Sequence, residues 1–298
     1  MKYMAIVLML LAGCQMQQND ETGKLDKYPV FPSDYVPARN LEVWLPSDYD
    51  PEKPEGYAVL YMHDGQNLFD TATANIGEEW GVDETMSRLL REGKIRDCIV
   101  VGMWCTPDRM LEYTPAKPYN LMIEKRLQTG REEEDSVEQP GGDDYLRFIV
   151  EEVKPFIDSV YNADPGKEST FIAGSSMGGL ISLYALMEYP DVFSGAACLS
   201  THWPLRIQEN SPDFVRAYVQ YLDERLSVDN GQKIYFDYGT ETLDSWYEPY
   251  QMIIDSLMRS KGFGESNWKT LKFEGGVHNE VAWRERFDIP VVFLLGQR

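Results

Sequence analysis

Between Arg39 and Phe273 short apolar runs alternate with longer amphipathic ones, and that alternation is the strongest constraint on how the chain can fold. The runs Arg39–Leu45, Tyr57–Met62, Cys98–Met103, Thr170–Ala173, Gly195–Leu199, Lys233–Tyr238 and Lys269–Phe273 read as strands. The first alternates, with Leu41, Val43 and Leu45 on one face, as a half-exposed strand does. Cys98–Met103 and Gly195–Leu199 are apolar throughout, as strands covered on both faces are. Helical spacing fills the gaps: Val82–Glu92, Tyr145–Val160, Gly178–Glu188, Asp213–Leu226 and Tyr247–Lys261. Strand–helix alternation over this length predicts one doubly wound α/β domain with a mostly parallel sheet, spanning residues 36–298.

One stretch breaks the rhythm. From about Lys117 to Asp144 the chain is polar and includes Arg131-Glu132-Glu133-Glu134-Asp135. It reads as a charged insertion, solvated at the surface or placed over a substrate.

Gly174-Ser175-Ser176-Met177-Gly178-Gly179 lies between a strand and a helix, the setting of the Gly-x-Ser-x-Gly nucleophile elbow of α/β-hydrolases. Only Ser176 has glycine two residues away on both sides. A serine at a helix N-terminus faces free N–H groups and the positive end of the dipole, which favour an oxyanion. Of three histidines, His278 follows the last strand, where the order serine, acid, histidine puts the base. His63 and His202 read as wall or loop-orienting residues. The acid is expected after Lys233–Tyr238, where Glu241 and Asp244 both offer a carboxylate; Asp244 has more room to turn back, and Glu241 stays open as the alternative. Oxyanion N–H groups are expected from Met177 and from the loop His63–Asn67. No metal is predicted, because no spacing such as His-Glu-x-x-His occurs. No cofactor is needed for this chemistry.

These pieces together resemble the putative esterase family, which includes esterase D, feruloyl and acetylxylan esterases, enterochelin esterases and mycolyltransferases. The resemblance is carried by Tyr61-Met62-His63-Asp64-Gly65-Gln66, Arg109 with Glu112-Tyr113-Thr114-Pro115, the serine motif, Tyr189-Pro190-Asp191-Val192-Phe193, and Gly276-Val277-His278-Asn279-Glu280 through Trp283. It implies a single-domain α/β-hydrolase with Ser176 as nucleophile, His278 as base, and Met177 and Gln66 as oxyanion donors. It also implies a carboxylic ester as substrate, carbohydrate- or siderophore-linked, with acyl transfer or a non-catalytic binding module as alternatives. The charged insertion departs from the family pattern. Trp104, Trp203, Trp246 and Trp283 are candidates to stack on an aryl or sugar ester.

The N-terminus predicts export. Lys2, the apolar run Met4–Ala12 and small residues before Cys14 form a signal over residues 1–13, too short to span a bilayer, which needs about 20 residues. Leu11-Ala12-Gly13-Cys14 resembles the bacterial lipobox, implying a lipidated Cys14, a tether to residue 35 and a place on the cell envelope. The lipid anchor is then the sole expected membrane contact. A net charge of −21 gives no electrostatic case for binding nucleic acid. Cys98, Cys105 and Cys198 remain; the first two bracket a strand, some 20 Å apart at about 3.3 Å per residue, and are expected to stay unbridged. Oligomeric state is not legible.

Overall fold

A computed structural model describes residues 22–130 and 139–296. The signal, Cys14 and the acidic run 132–135 lie outside the described residues. Eight strands, β1 (Lys24–Phe31), β2 (Arg39–Leu45), β3 (Ala58–His63), β4 (Cys98–Met103), β5 (Thr170–Ser175), β6 (Gly195–Leu199), β7 (Lys233–Gly239) and β8 (Trp268–Phe273), form one sheet. Their order is β1-β2-β4-β3-β5-β6-β7-β8. From β4 to β8 every neighbour is parallel; β1 and β2 close one edge antiparallel. This is the mostly parallel, doubly wound sheet that the alternation predicted.

Two apolar layers cover it, and the pleat sorts side chains between them. On one face Val59, Tyr61, Ile172, Ala196, Cys198, Ile234 and Phe236 join a large core. On the other, Ala58, Leu60, Met62, Phe171, Ala173, Ala197 and Tyr235 join a smaller one. The helices are α1 (Val82–Arg91), α2 (Arg109–Glu112), α3 (Ala116–Gln128), α4 (Gly142–Arg147), α5 (Lys154–Val160), α6 (Met177–Glu188), α7 (Asp213–Arg225), α8 (Glu248–Ser260), α9 (Glu280–Arg284) and α10 (Asp288–Leu295). A π turn, Phe148–Val153, links α4 to α5. Helix α6 is buried on every side from Met177 to Met187, which its run of apolar residues allows.

Two expectations change. Lys24–Phe31, inside the span read as tether, pairs antiparallel with β2, Lys24 opposite Leu45 and Asp26 opposite Val43. Its polar residues and Pro29 mask the strand signal, and both are tolerated because the strand lies at the sheet's edge. The first half of the stretch read as a charged insertion is helix α3, which buries Ala116, Pro118, Tyr119 and Met122. Its apolar spacing is diluted by lysines and glutamate on the outer face.

Candidate active site

The parallel order brings the loops after β3, β5, β6, β7 and β8 to one edge of the sheet, where open α/β sheets build sites. Ser176 stands at the turn from β5 into α6 with φ 58° and ψ −121°, a conformation a non-glycine residue adopts only under strain of about 1–3 kcal/mol. It is the only residue from Ser169 to Met187 that is not buried. A β-carbon at position 174 would lie 2.8 Å from His63 and 3.0 Å from the Gly178 backbone. At position 179 it would lie 2.8 Å from Thr201 Oγ1, whereas position 178 has ordinary contacts. Close approach therefore demands Gly174 and Gly179, the second of which lies outside the five-residue motif.

His278 follows β8, and its Nδ1 lies 2.5 Å from Asp244 Oδ1. A carboxylate can only accept, so Nδ1 carries the proton and Nε2 is left as the basic atom. Asp244 is fully buried. Its Oδ2 accepts from Ser200 Oγ at 2.5 Å and from the Gly239 N–H at 2.6 Å. Burial alone would raise this carboxyl, but bonds from His278, Ser200 and Gly239 outweigh it and hold it below the usual range. Glu241 is exposed and directs its backbone N–H to the Gly276 carbonyl.

The remaining histidines sit beneath these residues. The His202 N–H bonds the Ser176 carbonyl at 3.1 Å. His202 Nδ1 lies 2.7 Å from Tyr247 Oη, which lies 3.5 Å from His278 Nδ1, so a chain of contacts joins the serine turn to the histidine loop. His63 packs against the serine turn and meets Tyr145 Oη at 2.8 Å through Nδ1. Burial pushes His63 down to about 3 and His202 down to about 4, so both are neutral at pH 7.

Met177 is the first residue of α6, and the first backbone bond back onto Ser176 comes from Gly179, leaving the Met177 N–H ahead of it. Gln66 lies in the 3₁₀ turn Gly65–Asn67. Its side chain is used elsewhere, bonding Cys105 through both Nε2 and Oε1 at 3.0 and 3.1 Å, so only its backbone faces the question of oxyanion contact. Asp64, at φ 57°, is gripped by Arg109 through two bonds of 2.6 and 2.8 Å. Tyr113 Oη accepts from the Asp64 N–H at 3.2 Å. That clamp fixes the loop carrying Gln66.

Of the four candidate tryptophans, Trp203 is core, with Nε1 bonded to Gln251 at 3.1 Å, and so has no face for a ligand. Trp283 is buried edge-on to His278, centroids 5.0 Å apart. Trp104 and Trp246 stay partly exposed. Among the described residues Glu79, Asp83 and Glu84 gather ligand atoms within 4.8 Å of one another, and Arg284 already pairs with Glu79 at 3.5 Å.

Sequence reasoning missed Ser200, Asp237 and Arg286, which lie behind Asp244. Asp237 carried a signal: a carboxylate inside an apolar strand covered on both faces requires a buried partner. Arg286 carried none.

The family model described as Putative esterase matches residues 37–292. Ferri-bacillibactin esterase BesA of Bacillus subtilis (strain 168) is 25% identical over 176 residues, 55% of this chain and 55% of BesA, so the match spans about half of that relative. Uncharacterized protein YbbA of the same organism is 24% identical over 266 residues, 87% of this chain and 93% of YbbA. Among solved structures, a ferulic acid esterase superposes with TM-score 0.66 at 20% identity, covering 91% of this chain and 98% of that one. The enterobactin esterase from Shigella flexneri gives 0.64 at 15%, covering 91% and 58%. These structural likenesses show an α/β-hydrolase fold, and the family match over residues 37–292 shows that the chain belongs to the putative esterase family.

Proposed function

We propose that the chain hydrolyses an extracytoplasmic carboxylic ester, siderophore- or carbohydrate-linked, through an acyl-enzyme on Ser176. His278 Nε2 takes the Ser176 proton as Oγ attacks the ester carbonyl carbon. The tetrahedral oxyanion is held by the Met177 and Gln66 N–H groups. Collapse expels the alcohol, which takes the proton from His278; water then repeats the sequence and frees the acid. Asp244 keeps the proton of neutral His278 on Nδ1 and balances the imidazolium. The observation that most supports this reading is that Ser176, unlike every other residue from Ser169 to Met187, is accessible and is held in a strained turn. The names of BesA, the ferulic acid esterase and the enterobactin esterase favour aryl and siderophore esters as the first to try.

The test is turnover of acetyl, feruloyl and catecholate-siderophore esters by the wild type, Ser176→Ala and Ser175→Ala. Ser176→Ala should lose about 10³-fold or more while Ser175→Ala loses far less. A folded Ser176→Ala with near wild-type turnover refutes the nucleophile. An added alcohol acceptor that diverts the acyl group into a new ester makes the enzyme a transferase.

A further inference from the structure

Behind Asp244 lies a second buried ion system. Arg286 Nη2 donates to Asp237 Oδ1 at 3.0 Å and to Ser200 Oγ at 2.8 Å, and lies 3.9 Å from Asp244 Oδ2. The Arg286 side chain is 4% exposed and the two carboxylates are fully buried. Ser200 Oγ also accepts from Trp283 Nε1 at 3.0 Å and gives its one proton to Asp244, so every bonding position of that hydroxyl is filled. Ser200 is held at φ 42°, another strained non-glycine residue, and its N–H bonds the Asp237 side chain at 3.2 Å.

We propose that Arg286 and Asp237 are positioning residues that act through Ser200 on Asp244, leaving one net negative charge behind His278 and so setting the pH at which His278 becomes competent. The inference rests on His278 being the base. Two buried carboxylates with no cation would hold an imidazolium too firmly and oppose each other. One carboxylate against an unmatched arginine would cancel, and the imidazolium formed in the reaction would lose its partner. With Asp237, Asp244 and Arg286 together the balance is a single negative charge, which suits a histidine that must gain and lose a proton in each half-reaction. Burial pushes Asp237 up to about 6 against the pull of Arg286, so Asp237 is mostly charged only once the pH is well above that value.

Other groups face His278 from every side: Asp244 itself, Tyr247 at the start of α8, His202 after β6, and Glu280 and Trp283 on α9, with Asp64 and Arg109 beyond Glu280. They are unchanged by substitutions at 237 and 286, so a difference between variants isolates the second ion system.

The experiment measures kcat and KM from pH 5 to 9 on p-nitrophenyl acetate for the full chain, Asp237→Asn and Asp237→Asn/Arg286→Met, with Ser176→Ala as control. Asp237→Asn keeps the shape and leaves Arg286 unmatched. Its acid limb should move to lower pH by about half a unit, as an uncompensated cation nearby disfavours imidazolium. Removing Arg286 as well restores one net negative charge, and the limb should return toward the wild-type position although two more hydrogen bonds are lost. KM should change less than about twofold, since neither residue touches substrate. A limb that stays put or rises in Asp237→Asn, with Ser176→Ala inactive, overturns the proposal and leaves the triad standing. If the double variant does not fold, the direction in Asp237→Asn decides alone. An active Ser176→Ala, or a wild type with no acid limb, takes the triad and this proposal down together.

Discussion

His278 Nδ1 meets Asp244 Oδ1 at 2.5 Å, while Glu241, three residues earlier on the same loop, is exposed to solvent. The loop turns inward at Thr242, whose φ is 54° and whose Oγ1 accepts the His278 N–H at 2.8 Å. The same short turn thus anchors the histidine backbone and buries the carboxylate beneath its ring. Asp244→Asn should therefore lower kcat by about 10²- to 10⁴-fold, through the wrong tautomer and an unsupported imidazolium. Glu241→Gln should change it little. Steady-state kinetics on one chromogenic ester compares them, and a crippled Glu241→Gln enzyme would reverse the assignment.

The buried neutral histidines predict a pH-dependent stability. His63 is lowered to about 3 by burial, against about 6.5 in an unfolded chain. Below pH 6.5 the unfolded state binds the proton first, so this residue's contribution to stability falls by about 1.4 kcal/mol per pH unit down to about pH 3. Asp83 and Asp237, raised by burial to about 7 and about 6, act with the opposite sign, so the effect is read as a difference. In urea unfolding, His63→Gln should be less stable than wild type at pH 7, and the gap should close by about 2 kcal/mol at pH 5. A gap independent of pH would show that His63 ionises in the folded state.

Arg39 and Glu112 form a two-bonded pair of 3.0 and 2.6 Å, with side chains 1% and 5% exposed and the guanidinium over Tyr145 and Phe148. Glu112→Ala leaves Arg39 charged and buried and should cost about 3–5 kcal/mol, measured by denaturant unfolding. Arg39→Met/Glu112→Leu should recover most of that loss, since the pair's attraction largely offsets its own desolvation. A double variant no more stable than Glu112→Ala would contradict this.

Envelope attachment through Cys14 remains a proposal from the motif. Cys14→Ser should release the protein from membranes on fractionation and remove the lipid mass from its N-terminal peptide. A chain starting near Asp20 should stay soluble and active, because β1 begins at Lys24. Starting at residue 36 removes β1 and bares the edge of β2, and should bring aggregation visible by light scattering. A soluble, monodisperse product from the shorter chain would argue against that role for β1.

The sequence determined most of the sheet, the glycine-flanked turn at Ser176 and the loop that carries His278, because each is written locally. Apolar runs set Cys98–Met103 and Gly195–Leu199 to within a residue, since a strand covered on both faces must be apolar throughout. Gly174 and Ser176 declare the elbow, since a sharp turn tolerates few residues. The edge strand Lys24–Phe31 and helix α3 escaped notice because each buries only part of one face, and period signals weaken with the fraction buried. What only the tertiary structure decided is pairing across the chain. Two carboxylates three residues apart are equivalent until the loop is folded and one is buried. Arg286 meets Asp237 across 49 residues and Ser200 across 86, through contacts whose electrostatics exist only once water has been excluded from between them.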